Sequence, residues 1–86
     1  VDALNNSVDV SIYPSPFHNR LTIESNSSND VISIEVYEMT TGRKVDSREF
    51  ENNPVISFEN NYAKGVYLIH VYGDNELLKV DKVIKL

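Results

Sequence analysis

An all-β domain is predicted by three features of the 86-residue sequence. Apolar residues alternate with polar ones at a period of two in run after run, which is the mark of strands with one buried face. β-Branched and aromatic residues fill these runs, while Asn, Ser, Pro and Gly fill the gaps between them. Nowhere do apolar residues recur at i, i+3, i+4 and i+7 over successive turns, as an amphipathic helix requires.

The first run is Val8 to Tyr13, with Val8, Val10 and Ile12 facing one way. Pro14 and Pro16 end it; each fixes φ and removes a ladder donor, which predicts a crossover between sheets at this point. The second run, Arg20 to Glu24, points Leu21 and Ile23 inward, and the polar cluster Ser25 to Asp30 is a turn. In the third, Val31 to Glu38, Ile32, Ile34 and Val36 alternate with Ser33, Glu35 and Tyr37, and Thr41-Gly42 supplies the following turn.

The fourth run, Arg43 to Phe50, has Val45 and Phe50 out of phase, which predicts an edge strand or a bulge. The fifth, Val55 to Glu59, offers Ile56 and Phe58, and the loop Asn60 to Lys64 is closed by Gly65. Gly42 and Gly65 are read as turn residues that need positive φ. Val66 to Tyr72, the sixth run, is apolar on both faces, as expected of a central strand covered on both sides or near an interface. After the hairpin turn Gly73-Asp74-Asn75, the seventh run, Glu76 to Leu86, sets Leu78, Val80, Ile84 and Leu86 on one face, broken only by Lys82. Seven short strands punctuated in this way predict a seven-stranded antiparallel immunoglobulin-like β-sandwich, with no Cys or Trp to make it an antibody-type domain. Its expected core is Val10, Ile12, Leu21, Ile23, Ile34, Val36, Ile56, Phe58, Tyr67, Ile69 and Val80.

Residues 8–86 therefore make one domain, and the Asn-rich, unpatterned Val1 to Ser7 is the end of a linker. The opening Val, with no basic and apolar leader behind it, suggests a piece cut from a longer protein. A net charge of -5 repels phosphate backbones and anionic lipid, which argues against a nucleic-acid partner. Apolar runs such as Val66 to Ile69 fall far short of the ~20 residues of a membrane-spanning helix.

Catalysis has no candidate residues. His18 and His70 lack a partner at metal-ligand spacing and read as surface or packing residues, so no metal or cofactor is expected. There is no Cys, no Gly-x-Ser-x-Gly and no Ser-x-x-Lys to supply a nucleophile. Glu35, Glu38, Glu49, Glu51 and Glu59 fall at solvent-facing or turn positions. Of the five tyrosines, Tyr67 alternates with Ile69 and Val71 and belongs to the core, while Tyr13, Tyr37 and Tyr72 could face outward.

Taken together, Tyr13-Pro14-Ser15-Pro16-Phe17, Arg20-Leu21-Thr22-Ile23, Ile34 to Glu38 with Gly42 to Val45, Gly65 to Val71 and the closing Lys82-Val83-Ile84-Lys85-Leu86 carry a resemblance. In this order they resemble the C-terminal sorting domain of cargo of the type IX (Por) secretion system of Bacteroidetes. Two departures touch loops alone: Ser15 stands where the family commonly has Asn, and the Thr40-Thr41-Gly42 turn is one residue longer.

The resemblance implies a non-enzymatic secretion and sorting signal whose last strand coincides with a natural C-terminus. It is read by the type IX outer-membrane translocon and shuttle components after passage through the periplasm. A sortase-like peptidase then removes it and anchors the cargo to lipopolysaccharide at the cell surface, unless the cargo is secreted. Gly65, Tyr67, Lys82, Val83, Ile84, Lys85 and Leu86 become the candidate recognition residues. Tyr13, Pro14, Pro16, Phe17 and Gly42 become the structural motif. The alternative is a retained immunoglobulin-like accessory or glycan-binding domain of a secreted enzyme, touching its ligand through Tyr13, Tyr37 and Tyr72. Self-association through an exposed fourth or seventh strand is a further expectation, with Arg43, Lys44, Arg48 and Lys79 as guarding charges.

Overall fold

The computed structural model describes residues 9–86; the predicted linker Val1 to Ser7 and Val8 lie outside them. Seven antiparallel strands form two sheets, and no helix is present among the described residues. They are β1 (Val10–Tyr13), β2 (Arg20–Ser25), β3 (Val31–Glu38), β4 (Lys44–Glu51), β5 (Val55–Glu59), β6 (Gly65–Gly73) and β7 (Glu76–Lys85). A three-stranded sheet runs β1-β2-β5 and a four-stranded one β4-β3-β6-β7. All seven strands fall where the alternation predicts them.

Both sheets contribute to one core. From the first come Val10, Ile12, Leu21, Ile23, Ile56 and Phe58; from the second come Ile32, Ile34, Val36, Tyr67, Ile69, Val71 and Val83. Phe17, from the β1–β2 loop, is wholly buried among them. Alternation assigned ten of the eleven expected core residues correctly, and Val80 is the exception at 44 % exposed. The reason is a register shift between Val71 and Tyr72, where Val71 pairs with Lys79 but Tyr72 pairs with Leu77. One extra residue in β7 flips the face beyond it, because side chains alternate with period two. Val80 thus pairs with His70 on the outer face, Ile84 and Leu86 are exposed, and Val83 takes the inward position, while Leu78 still packs against the core.

The weak pattern of the fourth run has its predicted cause. β4 is an edge strand, and the shift at Val36/Tyr37 leaves Val45 without a partner between Asp46 and Lys44. Asp46 and Arg48 stand at its inward positions, joined at 3.0 Å, and the Tyr62 hydroxyl donates to the same Asp46 oxygen at 2.6 Å. Inward charges of this kind discourage another chain from adding to the edge. The proline segment departs from expectation: β1 and β2 pair in the same sheet, so no crossover follows β1. Instead the loop, with cis peptides at Tyr13-Pro14 and Ser15-Pro16, swings across to β7 and returns.

Gly42 sits at φ +74 and lets its N–H donate to the Glu38 carbonyl at 2.8 Å. Gly65 opens β6 at φ +157. In the β6–β7 hairpin the positive-φ residues are Asp74 and Asn75, the pattern of a type I′ turn. Gly73 has another reason to be glycine, since a Cβ there would run into the Asn29 side chain.

Asp74 also ties this hairpin to the start of β3. Its carboxylate accepts hydrogen bonds from the Val31 and Asp30 N–H groups at 3.0 and 3.2 Å and from the Asn29 amide at 3.2 Å. These bonds, Val31's first, hold its pKa below the ordinary 3.8. A depressed carboxylate adds stability above its unfolded pKa and loses it as pH falls through the lower folded value. Protection of the Val31 amide against hydrogen exchange is therefore expected to fall below about pH 4, and to do so less in Asp74→Asn, which keeps the turn but cannot titrate.

Candidate recognition surface

The candidate recognition residues, drawn from two distant stretches of sequence, meet on β6 and β7. Gly65 pairs with Lys85, Val66 with Ile84 and Tyr67 with Val83. Tyr67 is 3 % exposed and donates its hydroxyl to the Ala63 carbonyl; Val83 is 1 % exposed. Gly65, Tyr67 and Val83 are thus a foundation, and the surface above them belongs to Lys82, Ile84 and Leu86, with Lys85 half-buried on the other face.

The end of β7 is also fastened on its far side. Phe17 N–H donates to the Ile84 carbonyl at 2.8 Å and Leu86 N–H to the Phe17 carbonyl at 3.0 Å, a parallel bridge, while Ile84 N–H reaches Ser15 Oγ at 3.3 Å. Phe17 anchors this clamp by meeting Tyr62 edge-on, ring centroids 6.4 Å apart, and Tyr62 in turn lies 5.4 Å from Tyr67. The last residues are therefore not a loose edge; their backbone is held on both sides. Of the other motif residues, Tyr13 is exposed at the end of β1 and Gly42 lies in the β3–β4 turn, two strands away from β7. The proline–aromatic pair Pro16-Phe17 was the one sequence signal of this clamp.

A second cluster lies on the outer face of the four-stranded sheet. Here β6 presents Val66, Leu68, His70 and Tyr72, all half-buried, beside Tyr37 and Glu35 of β3. The His70 ring lies 4.7 Å from Tyr37 and 6.4 Å from Tyr72. Both phenols donate to Glu35 Oε1, at 2.8 Å from Tyr37 and 3.4 Å from Tyr72, and Lys44 Nζ stands 3.3 Å from Oε2. The Tyr37 hydroxyl, followed by Lys44, lowers the Glu35 pKa despite partial desolvation. In return Glu35 raises that of Tyr37, and burial and then Glu35 raise that of Tyr72. Read from the sequence, Glu35 was a solvated side chain and Tyr13 a companion of Tyr37 and Tyr72. Tyr13 is instead on the other sheet. The spacings Glu35-x-Tyr37 and His70-x-Tyr72 each put two residues on one face; only the antiparallel register, Glu35 against His70, brings the pairs together.

Among the described residues no three metal-ligating side chains come together, and no helix is long and apolar enough to cross a membrane. What the end of β7 offers is contact: Lys82 beside exposed Ile84 and Leu86 on a backbone held from both sides, with Lys85 half-buried on the other face. A family model described as the secretion system C-terminal sorting domain matches residues 11–86. No curated protein and no solved structure matches the chain.

Proposed function

The chain belongs to the C-terminal sorting domain family of type IX secretion, and from that membership we propose that residues 8–86 act as a folded, non-catalytic address for an attached cargo. The observation that carries this reading is the reach of the match, which takes in every strand but the first residue of β1. The outer-membrane translocon and its shuttle components read the domain after the cargo reaches the periplasm. They grip Lys82, Ile84, Lys85 and Leu86, while Gly65, Tyr67, Val83 and the Phe17 clamp hold that surface in shape. A sortase-like peptidase cuts ahead of the domain and joins the cargo to lipopolysaccharide at the cell surface. Neither cofactor nor metal takes part.

The three-plus-four strand arrangement, with β1-β2-β5 against β4-β3-β6-β7, supports the immunoglobulin-like sandwich as the architecture of this address. Rigidity suits the role, because a surface already in its bound shape loses little entropy on recognition. Self-association belongs at the open stretch of β7 before Lys82, since β4 carries inward charges. The test is sufficiency: the 86-residue chain is fused behind a signal peptide and a reporter enzyme in a bacterium with type IX secretion. Reporter at the surface or in the medium is expected, and reporter confined to the periplasm refutes the reading.

A further inference from the structure

The outer face of the four-stranded sheet combines aromatic rings, a fixed carboxylate and an open cleft. We propose that Tyr37, His70, Tyr72 and Glu35, with the cleft between β3 and β4 beside them, form a binding site for a neutral oligosaccharide. This inference uses β3, β4 and β6, away from the Phe17 clamp at the end of β7 although Lys82 shares the same outer face, and it does not depend on the sorting role.

Three observations support it. First, the rings of Tyr37, His70 and Tyr72 form a continuous half-exposed row, with neighbouring centroids 4.7 and 6.4 Å apart. Aromatic faces are electron-rich, so they attract the positively polarised C–H face of a pyranose ring. Second, a cleft of about 320 Å³ opens next to the row, lined by Ser33, Ile34, Glu35, Ser47, Arg48, Glu49 and Asn75. Ser33 is the cross-strand partner of Tyr72, which joins cleft and row. Among the described residues the side chains of Ser33, Ser47, Glu49 and Asn75 make no hydrogen bond, leaving donors and acceptors for sugar hydroxyls. The cleft itself is polar, so the rings supply the apolar surface and the cleft the convergent polar groups of a small-ligand site.

Third, the charges select the sugar. Lys44 is already engaged with Glu35, and Arg48 is turned inward to Asp46 and the Phe58 ring, so among the described residues Glu49 stands without a cation. An acidic cleft on a domain of net charge -5 repels uronates and sulfated glycans. Glu35, with two phenols and an ammonium fixing its orientation, still offers acceptor capacity to a hydroxyl, because a carboxylate has about four lone-pair sites.

Isotope-labelled 86-residue chain, titrated with maltohexaose, mannohexaose and chitohexaose and separately with heparin, tests the proposal by amide chemical-shift mapping. Saturable shifts are expected at Ser33, Glu35, Tyr37, His70 and Tyr72 with at least one neutral oligosaccharide and not with heparin. Tyr72→Ala and Glu35→Gln should each weaken that binding roughly tenfold, and Tyr13→Ala should leave it unchanged. Ser47→Arg, which fills the cleft from an exposed position of β4 while sparing every ring, should abolish it even if a ring variant fails to fold. No saturable shift up to about 10 mM, shifts on another face, or binding by heparin alone overturns the proposal.

Discussion

Replacing Phe17 with alanine is expected to cost the domain about 3–5 kcal/mol, the usual loss for truncating a buried phenylalanine. The ring is fully buried at the point where the β1–β2 loop crosses to β7, and its edge meets Tyr62. Its backbone simultaneously makes the two hydrogen bonds that fasten Ile84 and Leu86. Losing the ring therefore opens a cavity and loosens the clamp above it. A domain of this size has a total stability of only about 5–15 kcal/mol, so the change uses a large part of it. Urea denaturation followed by circular dichroism reads the loss directly. A change within a few tenths of a kcal/mol would mean that the loop does not hold β7.

Phe17 also marks a boundary of what the sequence made legible. Strand positions and inward faces follow from alternation, a local property, and so the seven strands and ten of the fourteen core residues could be read from residue order, without Phe17, Ile32, Val71 and Val83. Even the irregular fourth run was informative, because Val45 is out of phase for the physical reason that a bulge leaves it unpaired. Val80 was misassigned because the extra residue at Leu78 has no signature in a run where apolar residues occupy both parities. The two prolines were read as a sheet change; a loop that leaves and returns to the same sheet requires the same backbone restrictions. The Glu35 cluster was invisible for a different reason: it depends on the pairing of β3 with β6, and residue spacing within one strand says nothing about its neighbour's register.

Deleting Val83 to Leu86 is the second large effect. It removes Val83 from the core, takes away the partners of Gly65, Val66 and Tyr67, and leaves Phe17 with no strand to bridge. The truncated chain is expected to lose cooperative unfolding and the dispersion of its amide spectrum, and with these any delivery of a fused cargo. A truncated chain that unfolds cooperatively near the wild-type midpoint would show that the clamp is dispensable. Because Val83 is structural, failed delivery of this deletion reports lost fold as readily as a lost address.

The lysines separate the two. Lys82 is exposed, and the Lys85 ammonium makes only a local contact, 3.3 Å from the Leu86 carbonyl. Neither enters an ion pair among the described residues. Truncating exposed Lys82 and half-buried Lys85, neither of which fills a core position, is expected to alter stability by about 0.5 kcal/mol. The decisive measurement is the surface-delivered fraction of a reporter fused to Lys82→Ala, Lys85→Ala, taken with the denaturation midpoint of the same variant. The account predicts a several-fold fall in delivery at an unchanged midpoint. Delivery at the wild-type level from a normally folded variant would contradict it, and the end of β7 would then not be the surface that the secretion machinery reads.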